Sequence, residues 1–299
     1  MAFVIVAVLL TVYVAPAAMG SGVAEVMGLL NGVNYDGAIA VNTLLVKIFG
    51  ILMAICSGLC IGKEGPLVHI GANIGAITCY LPFEWTKPLQ NDQFKRYMIA
   101  AGAACGVSVA FGAPIGGALF SYEISKPNTF WTFHMLWRIF CATCIAVFTD
   151  SILTSLKDGT PLSMSDGAML KFGNVTFLGQ NTILDLPAAV IMGIVSGLLG
   201  ALFISSVFFL GTYRKKYVNT NIRKVIECVV FALVTSSCFY AVVALRENQC
   251  REDASIEQAE YKVRWTCPTG QYNPLATLVF NSEKGTLDEF FRFPEILTF

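Results

Sequence analysis

The apolar positions of this chain fall in long blocks: residues 2–18, 38–61, 67–81, 97–122, 130–156, 186–211 and 225–245. A straight helix needs about 20 apolar residues to cross a bilayer, and several blocks have that length. Two do not fit. Block 67–81 is short, and block 97–122 is interrupted by Phe-Gly-Ala-Pro-Ile-Gly-Gly at 111–117. Short or Gly/Pro-interrupted apolar segments point to discontinuous helices lining a substrate path. The pattern therefore predicts an all-α, polytopic membrane protein with residues 1–245 as its membrane domain. Residues 246–299 are polar and of mixed charge, and read as a loop on the non-cytosolic side.

Composition supports this division. Hydrophobic residues make up 55% of the 299 residues and charged residues 13%, about half the charged share of a soluble domain. The formal net charge is zero and no basic face stands out, which argues against nucleic acid as a partner. Block 2–18 lacks the basic leader of a secretory signal and reads as a membrane helix, with further residues expected before it. Arg214, Lys215, Lys216, Arg223 and Lys224 cluster without an acid, which assigns that turn to the cytosolic side.

Ten cysteines are present, most of them in apolar blocks, where cysteine behaves as a small hydrophobe. Cys141 and Cys144 form a C-x-x-C pair, but no cofactor motif accompanies it, so thiol oxidoreductase chemistry is the outsider reading. Cys250 and Cys267 lie in the polar stretch, where the expected compartment permits a disulfide. Asn174–Thr176 is a glycosylation sequon. No metal-ligand cluster, catalytic constellation or cofactor motif emerges, and the chain does not read as an enzyme.

The chemistry lies in three short stretches. In Gly62-Lys63-Glu64-Gly65-Pro66 a carboxylate and a Gly-Pro pair open an apolar run. This is a helix start, whose bare N–H groups and positive end suit an anion. The Glu64 carboxylate is placed to occupy that site itself; the alternative is a loop glutamate paired with Lys63. Gly20-Ser21-Gly22 offers further N–H groups and a hydroxyl. The stretch from Gly106 to Glu123 supplies a third element, with Gly and Pro for close backbone approach and Glu123 at its end. His69 and His134 are the two histidines. His69, five residues after Glu64, reads as structural rather than as a proton relay.

Taken in order, with Gly-Lys-Glu-Gly-Pro about forty residues after Gly-Ser-Gly, these motifs resemble the CLC family of chloride channels and chloride/proton exchangers. Leu-Leu-Asn-Gly-Val at 29–33, the aromatic run 130–140 and the stretch 267–286 extend the likeness, most closely to the eukaryotic lysosomal and late-endosomal branch. The likeness covers the first half of a complete member, so the resemblance implies the first half of an inverted-repeat pore with tilted, discontinuous helices. It implies Ser21, Gly22, Lys63, Glu64 and Gly65 as chloride-binding residues, with Glu64 as gate. It also implies a homodimer in the lipid bilayer, an endosomal or lysosomal membrane, and regulatory nucleotide-binding domains outside this stretch, leaving no cofactor here.

Three departures from the family pattern matter. Val23 and Ala24 stand where the family has Ile-Pro, so some rigidity is lost after Ser21. Ile124 follows Glu123 where exchangers carry a second glutamate that relays protons. An isoleucine there favours a voltage-gated chloride channel as the leading expectation, with a chloride/proton antiporter or a non-conducting truncated subunit as alternatives. The pore's second half is absent from these 299 residues.

Overall fold

A computed structural model describes residues 1–59, 61–125, 132–157, 186–245, 250–252, 262–281 and 286. The sequon at 174–176 lies outside them. The chain divides into two units, Met1–Leu170 with Val225–Ala232, and Lys171–Lys224 with Leu233–Phe299. The described residues are predominantly helical.

In the first unit the order is α1 (Ala2–Leu9), α2 (Val23–Leu30), α3 (Val41–Cys56), α4 (Glu64–Thr78), α5 (Asp92–Phe111), α6 (Pro114–Ser125) and α7 (Phe133–Lys157). Block 2–18 is not one helix. A wider π-type turn, Leu10–Val14, follows α1, and Ala15 leaves helical geometry at φ −143° before a 3₁₀ turn, Pro16–Ala18. Pro16 explains the break: its ring clashes with helical geometry at the preceding residue and it offers no N–H. The interruption at 111–117 is likewise real. Gly112 adopts φ +62° and caps α5, and the Ala113 N–H returns to the Ser108 carbonyl at 3.1 Å. Pro114 then opens α6, where a missing N–H costs nothing.

Helix α4 has 15 residues, about 22 Å at 1.5 Å per residue, less than the roughly 30 Å of a bilayer core. It is held by α5 at backbone contact distance. A Cβ added at Gly71 or Gly75 would run into the Gly102 or Met98 carbonyl, and one at Gly102 or Gly106 into the Gly71 or Leu67 carbonyl. Each helix thus presents two glycines four residues apart, the close-packing arrangement of membrane helices. Around this seam Val26, Leu30, Val68, Ile99 and Ile139 complete the buried core. Gly102→Leu is expected to force α4 from α5 and to destabilise by about 1–3 kcal/mol or more. The measurement is the melting temperature of the purified protein in detergent, and an unchanged value would reject the seam.

The second unit contains α8 (Leu186–Tyr217) and the ends of α9 (Asn221–Ala244), which is shared between the units. With α7, these are the three described helices long and apolar enough to cross a membrane. None of the 32 residues of α8 is buried, as befits an apolar surface meant for lipid or further protein. Its last turn carries Arg214, Lys215 and Lys216, favourable at the negative helix end. Arg223 Nη1 donates to the Tyr217 carbonyl at 3.1 Å across the turn to α9.

Beyond α9 the polar stretch has structure of its own. Cys250 and Cys267 are disulfide-bonded, and β1 (Arg251–Glu252) pairs antiparallel with β2 (Gln271–Tyr272). Asn273 caps α10 (Pro274–Phe280) by accepting from the Ala276 N–H at 3.1 Å. Trp265 stacks on Phe280 with ring centres 5.1 Å apart.

Candidate anion site

The Gly-Ser-Gly stretch forms a tight turn between Pro16–Ala18 and α2. Gly20 and Gly22 take φ +73° and +85°, a region that favours glycine, and Gly22 is the N-cap of α2. Helix α2 therefore starts without the proline of the family pattern. The Ser21 hydroxyl accepts from the Val23 N–H at 3.4 Å, a long bond that leaves its own proton free to donate. Val23 and Ala24 do not abolish the turn, because its support comes from elsewhere.

That support is a buried lysine. Lys47, on α3 and only 4% exposed, donates through Nζ to the Ala18 carbonyl at 2.9 Å and the Gly20 carbonyl at 2.7 Å. A buried ammonium is costly unless paired or hydrogen-bonded, and these two carbonyls, with Glu25 in the first turn of α2 as the nearby negative charge, meet that need. The sequence reading missed Lys47. Its signal was present: a single full charge inside the apolar block 38–61, and intramembrane ionisable residues mark functional sites by default.

The second motif reaches the same place. Glu64 is the first residue of α4, with Lys63 as N-cap, and the first-turn N–H groups have no partner within the helix. Gly65 lies against Ser21: a Cβ added to Gly65 would sit 2.7 Å from the Ser21 Cβ. The starts of α2 and α4, far apart in sequence, therefore meet at Ser21 and Gly65, and two positive helix ends converge there. The half-buried Glu64 side chain folds back so that its Oε2 lies over Gly62. Lys63 is exposed, and no ion pair joins it to Glu64 among the described residues. The paired-loop alternative for Glu64 has no support in this geometry.

His69 occupies the other side of the turn. It is fully buried, its Nε2 is 2.9 Å from the Ala38 carbonyl, and its ring abuts Gly22. The third motif is only partly associated with this site. Ile124 is 3% exposed and belongs to the hydrophobic core, whereas Glu123 is exposed on the outside of α6.

Comparison with known proteins accords with this geometry. A family profile described as voltage gated chloride channel matches residues 3–294. The H(+)/Cl(-) exchange transporter 7 of Homo sapiens is 33% identical over 98% of this chain and 37% of its own length. Chloride channel protein C of Dictyostelium discoideum is 32% identical over 99% of this chain and 42% of its own, and chloride channel protein CLC-d of Arabidopsis thaliana is 32% identical over 93% and 37%. The chain thus spans well under half the length of these relatives. Among solved structures, a slow cyanobacterial Cl-/H+ antiporter superposes with a TM-score of 0.58 at 22% identity, over 78% of this chain and 50% of that one. The fold is that of this antiporter, and the chain belongs to the voltage gated chloride channel (CLC) family.

Proposed function

We propose that this chain forms part of a transporter that moves chloride across a membrane in exchange for protons. Ser21, Gly22, Lys63, Glu64 and Gly65 contribute to the anion site and Glu64 is its gate. The observation that carries the reading is the meeting of Ser21 with Gly65 where α2 and α4 begin. Chloride suits such a site: it is weakly hydrated, and a hydroxyl and backbone N–H groups at positive helix ends stabilise it without a full opposite charge. Glu64, at the head of α4, competes as a carboxylate for the same donors. Protonated, it loses that attraction and vacates the place.

Exchange takes precedence over the passive channel expected from Ile124. The names of the human H(+)/Cl(-) exchange transporter 7 and of the cyanobacterial Cl-/H+ antiporter support it. One specific observation keeps the channel reading in view: Ile124 is apolar and packed in the core, and proton movement through an apolar interior requires a titratable or hydrated relay. The experiment is the reversal potential of the full-length protein under a pH gradient in symmetrical chloride. Exchange predicts a clear shift with the native isoleucine, and Ile124→Glu is expected to enlarge it. No shift in the native protein would return the reading to passive conduction.

The proposed assembly is a homodimer in an endosomal or lysosomal membrane, on the likeness of the chain to its family. The disulfide between Cys250 and Cys267 supports a non-cytosolic side that is not strongly reducing.

A further inference from the structure

Two buried polar groups, Lys47 and His69, flank the Ser21 turn, and a third, Asn73, bonds the His69 carbonyl; the proposed function uses none of them directly. Lys47 secures the near side by its bonds to Ala18 and Gly20. On the far side the Gly22 carbonyl accepts the Val26 N–H of α2 at 3.0 Å, and no side chain among the described residues bonds it. Instead Gly22 meets the His69 ring so closely that a Cβ on Gly22 would overlap Nδ1, Cγ and the His69 Cβ. The ring cannot drift away from this contact, because Nε2 is held 2.9 Å from the Ala38 carbonyl. A carbonyl only accepts, so Nε2 carries the proton and Nδ1 is the bare nitrogen. Nδ1 is buried and has no hydrogen-bond partner among the described residues. Asn73, one turn further along α4, donates through Nδ2 to the same Ala38 carbonyl at 3.3 Å and to the His69 carbonyl at 2.9 Å.

We propose that His69 is a positioning residue for anion discrimination: anchored through Nε2–H to the Ala38 carbonyl, its ring holds Gly22 and so fixes the turn that presents the Ser21 hydroxyl. The inference rests on the anion-site reading above. Chloride is compact and spherical, whereas nitrate is planar and larger, so a directed hydroxyl held in one place favours chloride. A turn free to relax at Gly22 adapts to nitrate as well. Lys47 alone cannot prevent this, since its bonds end at Gly20 and Ser21 lies between Gly20 and Gly22. His69 also ties α4, which carries Glu64 and Gly65, to the segment before α3. Both halves of the anion site are thereby referenced to one carbonyl.

The test compares His69→Gln with His69→Met in the full-length protein reconstituted in liposomes. The two replacements have nearly the same shape, but only glutamine retains an N–H donor near the place of Nε2. The chloride-to-nitrate flux ratio is read together with absolute chloride flux. The expected result is a ratio near the native value for His69→Gln and a fall of about threefold or more for His69→Met, the size of effect from losing one neutral hydrogen bond. Equal ratios in all three proteins, or an equal fall in both variants, would overturn the role given to the Ala38 anchor. Should His69→Met not fold, His69→Leu takes the same arm with the same expectation. If the native protein carries no chloride, the transport reading fails and takes this inference with it; if it carries chloride and the ratios do not separate, only the inference fails.

Discussion

Glu64→Gln is expected to leave chloride transport in place while removing its response to pH and its coupling to protons. The charge is what gives Glu64 its two states. In the proposed gate a carboxylate at the head of α4 competes with chloride for the first-turn N–H groups; in the structure its Oε2 folds over Gly62 and is not paired with Lys63. Glutamine has the same shape but no charge, so it competes poorly and binds no proton. The measurement is chloride efflux from liposomes across a pH series, with proton movement recorded in parallel. A Glu64→Gln protein that still pumps protons against chloride, or keeps the native pH profile, would remove Glu64 from the gate.

Lys47→Met is expected to have the largest effect on anion affinity. It removes the ammonium that bonds both Ala18 and Gly20, and it leaves two inward-facing carbonyls with their partner gone. A hydrogen bond to a charged group contributes about 1.5–3 kcal/mol, which corresponds to roughly tenfold to a hundredfold in anion affinity if the turn's geometry carries the loss. Lys47→Arg separates charge from shape. It keeps the positive charge, but its planar fork does not reproduce a point donor between two carbonyls, so partial recovery is expected. Native chloride affinity in Lys47→Met, measured by titration of the purified protein, would show that the turn stands without it.

Much of the architecture was legible in the order of residues. The apolar blocks marked where helices form, and Arg214, Lys215 and Lys216, read as a cytosolic turn, stand in the last turn of α8. Gly112 and Pro114 marked the break between α5 and α6 because each restricts its own backbone. These are local properties, present in the chain before it packs. The break after Ala15 was legible in the same way from Pro16, although the block was read as one helix. The glycine pairs of α4 and α5 were visible as spacing, but their role was not, because a glycine four residues from another gains meaning only when a second backbone approaches it.

The site divides along the same line. Gly-Ser-Gly and Gly-Lys-Glu-Gly-Pro could each be read as a helix start, since glycine conformation and exposed N–H groups follow from neighbouring residues. Their meeting at Ser21 and Gly65 depends on how α2 and α4 pack, and no local rule supplies that. The same holds for Lys47, whose charge was visible but whose two carbonyl partners lie 27 and 29 positions earlier, and for His69, whose partner Ala38 lies 31 positions away. At 123 and 124 the sequence determined which residue is acidic and which apolar. Helical geometry and packing decided that Ile124 enters the core while Glu123 faces outward. Residue types and local backbone preferences belong to the sequence itself; which buried donor meets which distant carbonyl belongs to the tertiary structure, because long-range packing sets it.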